Sequence, residues 1–175
     1  NIEQVKEKIK SLSPKDRRDN IILGYRKNLI RKGAKYTLDI DIFKGAKMKM
    51  SIIFATKNVY GFDTMKKVAL DICGNTNYEF FATGPQISLF DTKEYKLDEI
   101  NNQISKYLFD KYSNNIVEFN KLKNDLMSHP IYPSHFLKSS LKILENENKI
   151  KKVVKNDGSK RRNGTFPDNC IVYFN

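Results

Sequence analysis

The chain has 175 residues, 39% hydrophobic and 11% aromatic, which is the composition of one folded domain or two small ones and excludes a disordered segment. Lysine and arginine outnumber the acidic residues 32 to 20, and the formal charge of +12 favours a polyanionic partner such as nucleic acid. No apolar run is long enough for a membrane span, no signal peptide opens the sequence, and the two cysteines lie far apart. We therefore expect a cytoplasmic protein with reduced thiols and no membrane partner.

Helical patterns open the sequence. Ile2, Val5 and Ile9 recur on one face of a short first helix. Ser13 followed by a proline is a typical helix start, and the helix that begins there is expected to end before Gly33. Apolar residues recur along this second helix at helical spacing, which predicts that one side of it faces a core.

A β-hairpin is predicted next. Residues 36–42 alternate between apolar and polar side chains, and residues 47–56 return as a strand that becomes apolar on both faces. A strand of that kind is usually central in a covered sheet. A further helix ends at Gly74, and an aromatic-rich connector leads to a domain boundary near Asp91. We therefore predict that residues 1–90 form a helix, hairpin and helix piece of an α/β sheet.

Two carboxylates of the hairpin, Asp39 and Asp41, allow a second interpretation as a Mg²⁺ site of a nuclease. The hairpin would, however, bring them beside Lys47 and Lys49 of the returning strand, where cross-strand ion pairs are expected. No further ligand follows at a suitable distance. We therefore predict ion pairs here, and no metal ligand or catalytic residue in the chain.

The last part of the chain, residues 91–175, is predicted to fold as a winged helix-turn-helix domain, so that the whole chain is of the α+β class. Three helical runs are followed by two extended runs joined by a glycine-containing basic loop. These runs cover residues 97–112, 117–128 and 134–146 for the helices, and 149–155 and 170–174 for the strands.

Nucleic acid, and duplex DNA in particular, is the partner that this module predicts. The third helix turns apolar residues inward and short polar or basic side chains outward, as a helix in a major groove does. The loop between the strands adds cations that would contact phosphates. The predicted nucleic-acid-binding residues are Ser134, His135, Lys138, Lys142, Lys155, Lys160, Arg161 and Arg162. Alternatively, the basic loop belongs to an adaptor that binds an acidic protein.

Several short motifs resemble those of one family. The run SIIFATKN at residues 51–58, followed by Gly61-Phe62 and Met65-Lys66, resembles a segment of the three-Cys-motif partner proteins (TcmP). The tail KRRNGTFPD at residues 160–168 resembles the wing of the same family.

The resemblance implies an architecture, a cofactor and a partner. Members of that family have a Rossmann-like, methyltransferase-like sheet followed by a winged-helix tail, and a radical-SAM-like protein with three cysteines accompanies them. The hairpin would then contribute the last strands of that sheet. No cofactor is expected in this chain, because it has no glycine-rich nucleotide loop. An alternative is that it is the C-terminal portion of a methyltransferase-like enzyme, whose longer parent binds S-adenosylmethionine upstream.

Overall fold

The computed structural model describes residues 12–45, 47–81, 93–159 and 161–175 of the chain. The architecture is mixed α+β, with two three-stranded sheets and helices packed against them. The opening helix predicted from Ile2, Val5 and Ile9 lies outside the described residues, as do the domain boundary near Asp91 and the predicted contact residue Lys160.

The described residues of the first half form two helices and a mixed sheet. Helix α1 spans Pro14–Arg31, strands β1 and β2 span Tyr36–Lys44 and Lys47–Thr56, helix α2 spans Val59–Cys73, and a short strand β3 spans Glu79–Phe81. These bounds confirm the hairpin and the two helices predicted to start at Ser13 and to end at Gly74, respectively. Strand β1 is antiparallel to β2 and parallel to β3, which gives the order β2–β1–β3. The prediction that β2 is central is wrong for the described sheet, because β1 takes that place by pairing on both sides.

Helix α1 lies on the polar face of β1. Nη1 of Arg26 is 3.1 Å from Oδ2 of Asp39, and Nη2 of Arg18 is 3.1 Å from Oδ2 of Asp41. The predicted ion pairs with the lysines of β2 are therefore wrong, because the register places uncharged residues of β2 opposite both carboxylates. The predicted core-facing side of α1 also fails, since no residue of this helix is buried.

The second half alternates helices with three short strands. In chain order the elements are α3 (Lys93–Tyr112), β4 (Ile116–Glu118), α4 (Phe119–Ser128), a 3₁₀ turn (Ser134–Phe136), α5 (Leu137–Asn146), β5 (Ile150–Lys155) and β6 (Cys170–Phe174). Strand β6 lies between β4 and β5 and is antiparallel to both. The three predicted helices and two predicted strands are confirmed. Strand β4 differs from the sequence prediction, which extended the second helix over it, because its three residues pair with a strand that is distant in the chain.

Among the described residues, one cluster of buried apolar side chains runs through both halves. Ile104, Leu122 and Leu141 are completely buried where α3, α4 and α5 meet. Leu38 of β1 and Phe62 of α2 belong to the same cluster. The two halves meet where α2 packs against α4 and contacts the turn before α5.

Candidate nucleic-acid interface

Helix α5 has one buried side and one side open to solvent. Leu137, Leu141 and Leu144 are almost fully buried, at spacings that place them on one face. Lys138 and Lys142 are exposed on the other side of the helix. The chain thus offers two cations of α5 to the solvent, as the sequence pattern predicts.

The turn before α5 is attached to α2 through Asp63. Its carboxylate accepts a hydrogen bond from the backbone N–H of Ser134 at 2.8 Å and another from the Ser134 hydroxyl at 2.5 Å. A carboxylate that accepts from the first N–H groups of a helical segment stabilises its start. The hydroxyl of Ser134, a predicted contact residue, is therefore already used to hold the start of the third helical segment in place.

Lys66 of α2 is completely buried and connects the two halves. Its Nζ donates to the main-chain carbonyl oxygens of Leu126 at 2.7 Å, His129 at 2.9 Å and Tyr132 at 2.7 Å. The same Nζ lies 3.3 Å from Oδ1 of Asp63. Burial lowers the pKa of Lys66 to about 8, although Asp63 acts in the opposite direction, so the ammonium is mostly charged at neutral pH. Lys66 therefore neutralises the carbonyl end of α4 and fixes the turn that leads to α5.

The two histidines of this region have different surroundings. Nδ1 of His129 accepts hydrogen bonds from the backbone N–H groups of Ile131 at 3.1 Å and Tyr132 at 3.0 Å, and its ring stacks on the Tyr132 ring. Burial and the charge of Lys66 lower the pKa of His129 to about 4, so its imidazole is neutral and available as an acceptor. His135, a predicted contact residue, is exposed in the 3₁₀ turn.

The loop between β5 and β6 folds back onto α5 through Arg161. The guanidinium of Arg161 pairs with the carboxylate of Glu145 on α5, donates to the Thr165 carbonyl at 2.9 Å and lies 5.0 Å from the centre of the Phe166 ring. The Gly164 N–H donates to the same carboxylate at 3.0 Å. With its side chain only 7% exposed, Arg161 is not on an open loop tip. The structure therefore does not place this predicted contact residue where a phosphate would meet it.

The next residue, Arg162, is exposed. Lys155 is half-buried at the end of β5, where its carbonyl accepts from the Gly158 N–H at 2.9 Å. The side chain of Lys142 comes close to the loop, since its Cε would lie 3.6 Å from a Cβ added at Gly164. The structure thus brings the loop beside the exposed cations of α5.

Two further residues of this surface, Lys123 and Asp168, are not among those predicted. Oδ1 of Asp168 lies 3.0 Å from Nζ of Lys138, and its Oδ2 lies 3.8 Å from Nζ of Lys123 on α4. Hydrogen bonding to Lys138 lowers the pKa of Asp168, which is therefore a carboxylate at neutral pH. The sequence carries no periodic signal for this arrangement, because the three residues come from two helices and a loop.

Within the described ranges, no group of three or more histidine, cysteine, aspartate or glutamate side chains is suited to hold a metal ion. Among the same residues, no helix has both the length and the apolar character of a membrane span. No family model matches the sequence, and no curated protein or solved structure matches the chain. The assignment of a function therefore depends on the geometry and the charges of this surface.

Proposed function

We propose that the chain binds nucleic acid, duplex DNA in particular, through a winged helix-turn-helix formed by α3 to β6. The observation that carries this proposal is the connectivity of the second half. Helix, strand, two helices, strand, loop and strand follow one another, and the sheet order is β4–β6–β5. In proteins of this class the second helix of the helix-turn-helix enters the major groove and the first crosses the backbone. Helix α5 would take the groove position and α4 the backbone position.

The proposed contact surface consists of cations on α5, at the end of β5 and on the loop beside α5. These are the exposed residues Lys138, Lys142 and Arg162 and the half-buried Lys155. Ser134 and Arg161 have supporting roles in this proposal, because their polar groups are used by Asp63 and Glu145. The overall charge of +12 would attract a polyanion at long range.

The salt dependence of duplex binding tests this proposal. If four cations each neutralise a phosphate, log K falls against log salt with a slope of roughly −3 to −4. Lys142→Ala and Arg162→Ala should each make the slope shallower by about one unit, because each removes one phosphate contact. The measurement is fluorescence anisotropy of a labelled random-sequence duplex at several salt concentrations.

Lys106→Ala is the matched control, since Lys106 is an exposed lysine of α3 outside the proposed surface. It should leave the slope within the error of the unchanged protein. If the protein fails to bind the duplex even at low salt, or if Lys106→Ala weakens binding as much as Lys142→Ala, the proposal is overturned.

Protein binding is a second candidate function, favoured by the apolar side chains that the first half exposes. Ile72 of α2 is 60% exposed, and Ile21 and Tyr25 of α1 are 55% and 54% exposed. Because the short motifs resemble those of the three-Cys-motif partner family, we propose a radical-SAM-like protein with three cysteines as the partner. Ile72→Asp should then abolish the complex in a binding titration without changing the salt slope for DNA. The alternative of a methyltransferase-like parent that holds S-adenosylmethionine upstream stays a prediction.

A further inference from the structure

One carboxylate lies between lysines of the two helices that form the proposed helix-turn-helix. Asp168 comes from the end of the β5–β6 loop, Lys123 from α4 and Lys138 from the first turn of α5. The side chains of all three remain accessible, at 59%, 41% and 58% of their surface respectively. Two ammonium groups from different helices therefore converge on one anion at the solvent boundary.

The two sides of this arrangement are held in place independently. Nζ of Lys138 lies 5.4 Å from the centre of the ring of Phe119, a buried residue at the start of α4. On the loop side, Phe166 is buried and the Cys170 N–H donates to the Pro167 carbonyl at 3.2 Å, so the backbone on either side of Asp168 is anchored. Lys138 and the backbone around Asp168 thus each have contacts besides the ion pair that hold them near this position.

A phosphodiester resembles this carboxylate, because in both groups two oxygens share one negative charge. Both can therefore be bound by the same pair of cations. Ion pairs between exposed side chains are weak, because water screens them, so a backbone phosphate can displace Asp168. The location also agrees with the docking geometry, because the first helix crosses the sugar-phosphate backbone beside the helix in the groove.

We propose that Lys123 and Lys138 form a binding site for a phosphate of the nucleic-acid backbone, and that Asp168 occupies this site in the free protein as an intramolecular competitor. This inference rests on the proposed function and adds Lys123 to its contact surface. When the nucleic acid binds, a backbone phosphate replaces the Asp168 carboxylate between the two lysines. The unchanged protein accordingly gains less affinity from these two lysines than from unpaired ones.

The test is Asp168→Asn, measured against a labelled duplex by fluorescence anisotropy at several salt concentrations. The variant should bind about 3- to 10-fold more tightly near 100 mM salt, and its slope of log K against log salt should steepen by one to two units, because two lysines become free to neutralise phosphates. Adding Lys123→Ala to Asp168→Asn should remove a large part of the gain.

Asp157→Asn is the matched control for the charge change. Asp157 lies in the same loop, is exposed and accepts a hydrogen bond from the Ser159 N–H, and it forms no ion pair with any lysine that the structure describes. It removes one negative charge near the duplex, so any general electrostatic gain should appear in it too. Only the amount by which the gain in duplex affinity of Asp168→Asn exceeds that of Asp157→Asn is evidence for the phosphate site.

The outcomes separate this inference from the proposed function. If the unchanged protein binds the duplex and Lys142→Ala makes its slope shallower, but Asp168→Asn behaves as Asp157→Asn does, only the phosphate site is overturned. If neither the unchanged protein nor Asp168→Asn binds the duplex, both proposals fall. Titration with inorganic phosphate is the second arm. If Asp168→Asn gains phosphate affinity but no duplex affinity, the lysines bind free anions and their assignment to the nucleic-acid backbone is overturned.

Discussion

The two halves of this chain differ in how completely they bury their apolar surface. In the second half, α3, α4 and α5 surround completely buried residues such as Ile104, Leu122 and Leu141, and the small sheet adds Val172. In the first half, β1 is flanked by two edge strands, and α1 packs on it without burying any of its own residues. Most of the large apolar side chains that are exposed among the described residues belong to this first half.

The first half is connected to the second by polar contacts of α2 and of the segment after it, in addition to the shared core. Lys66 and Asp63 bind the end of α4 and the turn before α5, and the Tyr78 hydroxyl donates to the Ile131 carbonyl. The proposed nucleic-acid surface lies on the well-packed half, whereas the other half exposes most of the large apolar side chains.

The largest change in the free energy of unfolding is expected when the contacts of Lys66 between the two halves are removed. Lys66→Met keeps the length of the side chain but removes the cation beside the Asp63 carboxylate and the donor of four main-chain carbonyls. Removing one member of a buried ion pair costs about 3 to 5 kcal/mol. We expect the free energy of unfolding to fall by that amount in urea denaturation.

Lys67→Met is the natural control for that experiment, because Lys67 is the exposed neighbour in the same helix. A surface substitution of this kind changes the free energy of unfolding by no more than about 0.5 kcal/mol. Equal effects of the two variants would show that the buried ammonium does not connect the halves.

A second effect concerns the stability of α1 relative to the second half. Because no residue of α1 is buried, its backbone amides should exchange through local opening. The amides of α4 and α5 should exchange only through global unfolding. We expect opening free energies at least about 2 kcal/mol lower in α1, measured by native-state hydrogen exchange. Equal protection in α1 and α5 would contradict the contrast between the halves.

The smallest effect is a loss of stability in mild acid. The folded-state pKa of His129 is about 4, below the ordinary value of 6.5, so the unfolded chain binds more protons between these values. The contribution of His129 is therefore complete above pH 6.5 and is lost as the pH falls towards 4, with a size of about 1 kcal/mol after allowance for solvent screening.

His129→Asn isolates this titration, because an asparagine oxygen can accept the same N–H groups and carries no proton-binding site in this range. The variant should lose about 1 kcal/mol less than the unchanged protein between pH 7 and pH 4.5 in urea denaturation. If the two proteins lose the same amount, other groups cause the acid sensitivity.

Much of the fold could be predicted because its signals are local. Ser13 accepts the backbone N–H of Asp16 at the start of α1, and Gly74 ends α2 in the left-handed conformation with φ 68°. Alternation predicted β1 and helical spacing predicted α5. Strand β4 could not be predicted, since three residues have no period of their own and form a strand only through pairing with β6.

The candidate surface was predictable in composition but not in detail. The sequence pattern places Lys138 and Lys142 on the open side of α5, and the structure exposes both. It also predicts Ser134 as a contact, whereas Asp63 of another helix takes up that hydroxyl. Lys123 was missed because the feature that distinguishes it is a carboxylate far along the chain, at Asp168.

The sequence by itself determined the helices, the hairpin, the excess of positive charge and the regions in which that charge concentrates, because these depend on neighbouring residues. The tertiary structure alone decided which cations are exposed to solvent and which are used in contacts within the protein. Lys66 is buried and Lys67 is exposed; Arg161 pairs with Glu145, whereas Arg162 faces solvent. The members of each pair are adjacent and chemically alike. Helical spacing places Lys66 on the face of the buried Phe62 and Leu70, but it does not identify the groups that Lys66 binds. The different roles within each pair arise from carbonyl and carboxylate groups that only the folded chain brings within hydrogen-bonding distance.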